Sequence, residues 1–490
     1  MNPKIYIKLE DKICSVFPVV PEITKKLTVS DVKYVCTEAT HYINTPIRTN
    51  RNIFQVATTP DGNLWMYTFQ GLWELIKKTA EKAGYEVNVI DNRATRIGNG
   101  FRKPQLDKMA GFRFSQGELV RTMLSADMNG MLIAPTRYGK TYMIINTIRA
   151  YPGVKTLVAL PGVDLVRQMY DDIKDALKDR DVTMLGAGSR KVYQGEDVTV
   201  ASMDSLHKCD HAGTELLIVD EPHTCPTDSR LVPIDTFPHR RLAFTATPSG
   251  RSDGRDILIR GLFGPTLAEI SYKDAVEEGA ICPIVILFLK IPVKPEHFRD
   301  RNAAYNKIFF KNKGMADLIA HINKNIIPKD WQTFTFIVNE AQADMCMESI
   351  KRDSNVAMAK LMTNAQRKEM TRSLAADEIK RVFCTNIYIQ GVTFHQIRCI
   401  INAAAGGNNT SAIQKPGRLA EVIEGKKAGI VIDFNFVEDS TCLTPRKNDN
   451  WRRPIADSKS RRKAYTDKGY KIIDCEDVHE LAYQLFKETL

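Results

Sequence analysis

The chain has 490 residues, a formal net charge of +11 and a pI of about 9.0, which favour a polyanionic partner, with nucleic acid ahead of a membrane surface. Its 43% hydrophobic and 26% charged residues are typical of a globular protein of about two to four domains. The ten cysteines include no CxxC pair, which argues against a disulfide framework or a zinc site. The sequence shows neither a signal sequence nor an apolar run of ~18 residues, so we expect a cytoplasmic protein with no membrane partner.

Residues 1–108 are predicted to form a small α+β domain. Ile5–Leu9 alternates like a strand, Pro60-Asp61-Gly62 is typical of a hairpin turn, and Phe69–Ala83 has helical spacing. A basic connector follows, containing Arg93, Arg96, Arg102, Lys103 and Lys108. Two interpretations stay open: a DNA-contacting accessory domain with a basic hinge, or a structural cap with a solvated linker.

From 109 to 272, apolar strands alternate with helices, which predicts a parallel sheet covered on both faces. The predicted strands are Met131–Ala134, Thr156–Leu160, Val182–Leu185, Val198–Ser202, Leu216–Val219 and Arg241–Thr245. In such sheets, ligands bind beyond the carboxyl ends of the strands.

The stretch Met131-Leu-Ile-Ala-Pro-Thr-Arg-Tyr-Gly-Lys-Thr141 combines a strand, a tight loop and the start of a helix. Backbone N–H groups at such a helix N-terminus bind phosphate, and Lys and Thr suit the β/γ-phosphates and Mg²⁺. The predicted nucleotide site comprises Ala134, Pro135, Thr136, Arg137, Tyr138, Gly139, Lys140 and Thr141, the last also a Mg²⁺ ligand. An ordinary strand–loop–helix with an exposed lysine is the alternative.

A second apolar strand, Leu216–Val219, ends in Asp220 and Glu221. Hydrolysis of a nucleoside triphosphate needs one carboxylate to hold Mg²⁺ and another to orient the attacking water. We assign Asp220 to the metal and Glu221 to the water. Together with Lys140, these residues predict an NTPase.

Between 273 and 440 the strand–helix pattern starts again without a second phosphate loop, which suggests two similar sheets that share one nucleotide. Residues 441–490 form a basic segment predicted to pack on the second sheet, with a helix from about Val478 to Glu488. Its run Ser458–Lys463 is interpreted either as a solvated face or as a track for phosphates.

The order of these stretches resembles superfamily 2 helicases of the DExH type over residues 110–440. The resemblance is carried by Phe112–Gln116, Ala134–Thr141, Leu160–Gln168, Ala201–Ser205, Asp220–His223, Thr245–Pro248, Thr335–Asn339, Thr385–Thr393 and Gln414–Glu421. It implies two tandem RecA-like α/β domains that use ATP and Mg²⁺. It also implies that Gln116 reads adenine, that Gly391 contributes to the nucleotide site, and that Arg418 contacts ATP as a catalytic residue.

Two positions depart from the family pattern. Arg137 stands where the phosphate loop usually has a glycine, and Glu421 stands where the last motif usually ends in an arginine that reaches the γ-phosphate. A carboxylate close to a triphosphate repels it. The sequence offers Arg418 itself, or Lys415, Lys426 or Lys427, as a replacement cation.

The compact layout is similar to phage fork-remodelling helicases of the UvsW type. This predicts an ATP-dependent DNA helicase and translocase that unwinds or branch-migrates forked and junction DNA in phage replication, recombination or repair. We expect a monomer that grips phosphates without sequence preference, with single-stranded-DNA-binding or replication proteins as further partners. The alternatives are an RNA helicase and a nucleic-acid-binding protein whose ATPase has decayed.

Overall fold

The computed structural model describes residues 3–35, 45–93, 102–186, 196–237, 240–247, 255–350, 358–361, 365–385, 396–404, 406, 409–439 and 450–489. The chain divides into two compact units, each described separately below. The first comprises residues 1–134 and 139–270, and the second comprises 135–138 and 271–490. The short loop Pro135–Tyr138 thus belongs to the second unit, although the residues before and after it in the chain belong to the first.

The first unit begins with an α+β module. Its elements are β1 Lys4–Leu9, β2 Ile13–Phe17, α1 Pro21–Lys26, β3 Thr28–Val35, β4 Thr45–Asn52, β5 Phe54–Thr58, β6 Leu64–Phe69, α2 Trp73–Lys82 and β7 Glu86–Asp91. Five strands form a sheet in the order β5-β6-β2-β1-β7, and β3 pairs with β4 in a separate ribbon. Ile5, Ile7 and Leu9 alternate onto the buried face of β1, as the sequence predicts.

This module packs directly on the larger sheet of the same unit. Gly71 approaches the backbone so closely that a Cβ there would lie 2.2 Å from the carbonyl oxygen of Arg260. Arg260 also donates a hydrogen bond to Glu74 at 3.2 Å. The module and the larger sheet contribute to one hydrophobic core, which includes Leu72 and Leu262. Only a residue without a side chain fits at position 71 without displacing the backbone.

The larger sheet of the first unit has seven parallel strands in the order β10-β11-β9-β12-β13-β8-β14. Its elements are α3 Gln116–Ser125, β8 Gly130–Ile133, α4 Lys140–Arg149, β9 Thr156–Leu160, α5 Val163–Ala176, β10 Val182–Leu185, β11 Val198–Ser202, β12 Leu216–Asp220, α6 Asp228–Thr236, β13 Arg240–Thr245, α7 Asp256–Phe263 and β14 Thr266–Glu269.

The second unit repeats this architecture with the order β17-β18-β16-β19-β20-β15-β21, again all parallel. Its elements are α8 Tyr272–Glu277, β15 Ile284–Val293, α9 Arg301–Tyr305, α10 Lys313–His321, β16 Gln332–Phe336, α11 Glu340–Ile350, β17 Met358–Leu361, α12 Ala365–Ala375, β18 Arg381–Cys384, β19 Ile397–Asn402, α13 Asn409–Gly417, β20 Gly429–Glu438, α14 Arg453–Lys468, β21 Lys471–Cys475 and α15 Val478–Thr489. The predicted α/β fold, with two RecA-like parallel sheets and a small N-terminal α+β module, is confirmed.

The basic C-terminal stretch differs from its prediction at two positions. On α14, Ser458 and Arg461 are buried, so the run Ser458–Lys463 is not uniformly a solvated or phosphate-facing surface. Arg461 forms a two-pronged ion pair with the buried Asp433, with Nε–Oδ2 and Nη2–Oδ1 distances of 2.9 and 3.0 Å. The helix turns one basic residue inward to hold it against β20, while Lys459 and Lys463 remain exposed.

Among the residues that the structure describes, none of the helices combines the length and the apolar character required to cross a membrane.

Candidate functional site

The phosphate loop joins β8 to α4, and its backbone explains two of its residues. Gly139, the residue before α4, has φ +90°, and a Cβ there would lie 2.5 Å from Nε2 of Gln116. Arg137 has φ +71°, a left-handed conformation that favours glycine and is strained for a residue with a side chain. The loop therefore keeps a left-handed backbone at position 137, although arginine stands there instead of the glycine usual in the family.

Lys140, the first residue of α4, lies beside the second predicted motif. Its Nζ is 3.6 Å from Oε1 of Glu221, and the two side chains are only 11% and 23% exposed. Lys140 follows the carboxyl end of β8 and Glu221 follows that of β12, with β13 between the two strands, at the edge of the sheet where ligands bind. The structure thus brings together Lys140 and Glu221, which lie about 80 residues apart in the chain.

Asp220, at the end of β12, fits a metal ligand. Its Oδ1 is buried, with no hydrogen-bond partner in the described part of the chain. Burial and the neighbouring Glu221 carboxylate raise the pKa of Asp220 to about 7, against the opposing pull of Lys140. A buried carboxylate oxygen of this kind matches the hard oxygen ligands that Mg²⁺ prefers.

Glu221 has the opposite electrostatic character. Burial pushes the pKa of Glu221 upward, but the Lys140 ammonium and the hydrogen bond from His223 outweigh it, so the pKa falls to about 2. Glu221 is also strained, with φ +54°, and its backbone N–H donates to Phe244 at 2.9 Å. A carboxylate that stays ionised at all ordinary pH values can accept a hydrogen bond from water and so orient it.

Two side chains that hold Glu221 were not among the predicted site residues. Thr245 Oγ1 donates to Oε2 of Glu221 at 3.3 Å, and Nδ1 of His223 lies 3.3 Å from the same oxygen. Thr245 lies on β13, which pairs in parallel with β12 so that Asp220 faces Phe244. The motifs containing both residues were recognised in the sequence, but only strand adjacency shows that Thr245 orients the carboxylate.

Gln116 begins α3 and is buried. Its Oε1 accepts a hydrogen bond from the Arg113 N–H at 3.1 Å, and its amide nitrogen faces Gly139 of the phosphate loop. The structure therefore places Gln116 next to the phosphate loop, and its contact with adenine stays a prediction.

The second unit contains Arg418, at the start of a 3-10 turn over Arg418–Ala420 that follows α13. Two of the lysines considered as replacement cations are used inside this unit. Lys415 donates to Oδ1 of Asn402 at 2.8 Å, and Lys426 donates to the carbonyl oxygens of Ile397, Leu419 and Glu421. Both are buried, and burial lowers the pKa of each to about 8. Gly391, also predicted to contact the nucleotide, lies outside the described residues.

The two segments predicted to touch the nucleic-acid backbone leave the sheet side by side. β9 and β11 pair in parallel with Leu160 opposite Ser202, so Leu160–Gln168 and Ala201–Ser205 begin at one edge. The side chain of Ser202 accepts a hydrogen bond from the Asp204 N–H at 3.3 Å, which caps the turn over Met203–Lys208. Backbone N–H groups at helix starts of this kind can bind phosphate, and the contact with nucleic acid stays a prediction.

Comparison with known proteins finds a matching family and two relatives of this chain. Residues 101–250 match the family described as "Type III restriction enzyme, res subunit". A protein of Sulfolobus islandicus filamentous virus (isolate Iceland/Hveragerdi), named "Putative helicase 22", is 22% identical over 64% of this chain and 61% of its own length. "Putative DNA 3'-5' helicase Rad25" of Haloarcula marismortui is 27% identical over 39% of this chain. The chain spans 61% and 30% of the lengths of these two relatives.

A solved structure with a TM-score above 0.5 shows the same fold. The helicase MrfA bound to DNA is 13% identical, with a TM-score of 0.52 over 81% of this chain and 54% of that chain. T4 UvsW is 15% identical, with a TM-score of 0.39 over 97% of this chain and 99% of that chain. The family match over residues 101–250 and the two relatives named as helicases confirm the resemblance to superfamily 2 helicases that the sequence predicts, and MrfA shares the fold of this chain.

Proposed function

We propose that the chain is an ATP-dependent DNA helicase and translocase that acts on forked or branched DNA. The observation that carries this proposal is the group formed by Lys140, Glu221 and Asp220: a cation, an ionised carboxylate and a carboxylate with a buried, unbonded oxygen at one sheet edge. Triphosphate hydrolysis requires these three functions together.

Each residue has a distinct part in this chemistry. Gly139 and the N-terminus of α4 receive the phosphates, and Lys140 offsets their charge. Thr141 and Asp220 would hold Mg²⁺, which supplies positive charge to the β- and γ-phosphates when bound. Glu221, oriented by Thr245 and His223, accepts a hydrogen bond from the water that attacks the γ-phosphorus, and ADP and phosphate leave. Arg418 of the second unit is proposed to contact the γ-phosphate.

DNA is proposed as the polymer because the chain carries a net charge of +11 and because one relative is named as a DNA 3'-5' helicase. Binding through the phosphates should be independent of sequence and weakened by salt. A role in phage replication, recombination or repair, in the cytoplasm of the host, is proposed from the viral relative and the compact layout. Single-stranded-DNA-binding or replication proteins are proposed as partners of a monomeric enzyme.

The first experiment measures ATP hydrolysis by the purified full chain with no nucleic acid, with forked DNA and with a forked RNA of the same sequence. We expect DNA to stimulate hydrolysis more than RNA. Lys140→Ala should abolish turnover, whereas Lys178→Ala, at an exposed position of the same unit, should not change it. Stimulation by RNA alone would identify an RNA helicase, and the absence of stimulation by either polymer would overturn the proposal.

The second experiment separates unwinding from simple ATPase activity. Forks, four-way junctions and single overhangs of either polarity are incubated with ATP, and strand separation is measured. We expect forks and junctions to be processed faster than simple overhangs. Equal rates on all substrates would remove the preference for branched DNA while leaving a helicase.

A further inference from the structure

The two positions that depart from the helicase pattern contact each other. Nη2 of Arg137, in the phosphate loop, lies 3.4 Å from Oε2 of Glu421, and the two side chains are 20% and 23% exposed. Both residues belong to the second unit, because the loop Pro135–Tyr138 is grouped with it. An ion pair with this little exposure is less screened by water and salt than one at the surface.

The residues on either side of Arg137 also contact other parts of the second unit. A Cβ added at Gly417 would lie 2.8 Å from Thr136, so the end of α13 packs against the loop one residue before Arg137. One residue after it, Tyr138 donates a hydrogen bond to Oε2 of Glu278 at 2.8 Å. Three consecutive residues of the phosphate loop are therefore positioned by contacts outside the loop.

The backbone around Glu421 is held by hydrogen bonds to its carbonyl oxygens. The buried Lys426 donates to the carbonyl oxygens of Leu419 and Glu421 at 2.6 and 3.2 Å. The N–H of Cys282 donates to the carbonyl oxygen of Ala420 at 2.8 Å. The backbone from 419 to 421 is thus fixed by donors on both sides, and this fixes the origin of the Glu421 side chain.

The conformation of Arg137 indicates that its side chain has a use. A φ of +71° is costly for arginine and free for glycine, so a structural loop would be better served by glycine. An isolated carboxylate at position 421 would repel a triphosphate, whereas one paired with a guanidinium does not. Because guanidinium has several N–H donors in a rigid fork, it can contact a carboxylate and a phosphate oxygen together.

We propose that Arg137 is a catalytic residue that contacts the γ-phosphate from within the phosphate loop, and that Glu421 is the positioning residue that aims it. This inference rests on the proposed ATPase function. Arg137 would then be a second cation at the γ-phosphate, in addition to Arg418. Its pairing with Glu421 explains why a carboxylate is tolerated at position 421.

The test is a charge-transposition series in the full chain: Arg137→Gly, Glu421→Arg, the double variant, Arg137→Lys and Glu421→Asp. Arg137→Gly should lower kcat by about 10²–10³-fold with a smaller change in KM, since the lost contact matters most in the transition state. Glu421→Arg should also lower kcat because it places two cations together. The double variant should recover to within about tenfold of the wild type, and Glu421→Asp should keep more activity than Glu421→Arg.

Binding gives a second measurement that does not depend on turnover. The affinity for ADP with aluminium fluoride, which mimics the phosphoryl group in transfer, is compared with the affinity for ADP alone. Arg137→Gly should lose most of the preference for the mimic, and Arg137→Lys should lose part of it because lysine lacks the fork. Thermal unfolding serves as the folding control, since glycine relieves the strained φ and should not lower the melting temperature.

The outcomes separate this inference from the function on which it rests. A wild-type chain without ATPase activity would overturn both. A wild type that hydrolyses ATP, with Lys140→Ala inactive but Arg137→Gly unimpaired, would overturn the role of Arg137 alone. Additive losses in the double variant, with no recovery, would show that Glu421 does not position Arg137.

Discussion

Arg461 on α14 and Asp433 on β20 form an ion pair in the interior of the second unit, with side-chain exposures of 2% and 0%. Arg461 also donates to the carbonyl oxygens of Gly406 and Phe434, and Tyr465 donates to Asp433 at 2.6 Å. Every charge in the group is compensated by hydrogen bonds, which is the condition under which a buried ion pair is tolerated.

Removing one partner of this pair should be strongly destabilising. Arg461→Ala leaves Asp433 buried without its counter-charge, and we expect a loss of about 3–5 kcal/mol in the free energy of unfolding. Denaturant unfolding monitored on the second unit provides the measurement. Lys459→Ala, at an exposed position on the same helix, is the matched control and should change stability by less than about 0.5 kcal/mol. A loss below about 1 kcal/mol for Arg461→Ala would contradict this role.

Arg461 also shows where sequence reasoning reaches its limit. Ser458–Lys463 is rich in basic residues, and composition alone cannot tell which of them turns inward. The carboxylate that neutralises Arg461 lies 28 residues earlier in the chain, on a strand whose apolar neighbours conceal it. Long-range partners of this kind are determined by packing rather than by local pattern.

The parallel sheets were predictable for a physical reason. Central strands are buried on both faces, so they are continuous apolar runs such as Leu216–Val219. The strand absent from the prediction for residues 109–272 is β14, which lies at the edge of its sheet and whose short sequence Thr266–Glu269 carries polar residues. Edge strands gain their structure from the neighbouring strand, and this dependence is not visible in their own sequence.

The residues in local motifs of the site were predictable from the sequence, whereas the contacts between distant residues were not. The spacing within the phosphate loop and the acidic pair at the end of an apolar strand identify Lys140, Asp220 and Glu221. The contact of Glu221 with Thr245 depends on the strand order, and the pair between Arg137 and Glu421 depends on tertiary packing. Sequence showed the last two as isolated departures from a pattern, and the structure shows that they compensate each other.

Docking of the N-terminal module should depend on Gly71. Gly71→Ala would place a Cβ 2.2 Å from a backbone oxygen, which cannot move aside like a flexible side chain. We expect a loss of about 1–3 kcal/mol in stability. Gly162→Ala, where a Cβ would meet nothing within 4 Å, is the control. Limited proteolysis should show earlier cleavage between the module and the first parallel sheet in Gly71→Ala; equal cleavage patterns would argue against tight docking.

Glu221→Gln should separate nucleotide binding from hydrolysis. Glutamine keeps the shape and the contact with Thr245 but cannot accept a proton, so kcat should fall by about 10²–10⁴-fold while ATP still binds. Single-turnover hydrolysis and equilibrium binding of a fluorescent ATP analogue provide the two measurements. Glu118→Gln, at an exposed position on α3, is the control. Full activity in Glu221→Gln would exclude Glu221 as the group that activates water.

Asp220 should reduce the stability of the protein in the absence of metal. Its pKa is raised from 3.8 in the unfolded chain to about 7 in the folded protein, mainly by burial. Between these values the folded state binds more protons than the unfolded state, so the contribution of Asp220 to stability falls as pH rises from about 4 to 7 and stays low above 7. The cost at pH 8 is about 1–4 kcal/mol.

Asp220→Asn removes this cost together with the metal ligand. We therefore expect Asp220→Asn to melt at a higher temperature than the wild type at pH 8 without Mg²⁺, and the difference to shrink as the pH is lowered toward 4. Adding Mg²⁺ and ATP should stabilise the wild type but not the variant, because a ligand that binds only the folded state shifts the unfolding equilibrium. The same carboxylate should then weaken stability in the free protein and support hydrolysis in the complex, so the variant should be more stable and inactive. A variant that is less stable than the wild type at pH 8 would mean that Asp220 is satisfied without metal and would remove it from the proposed Mg²⁺ site.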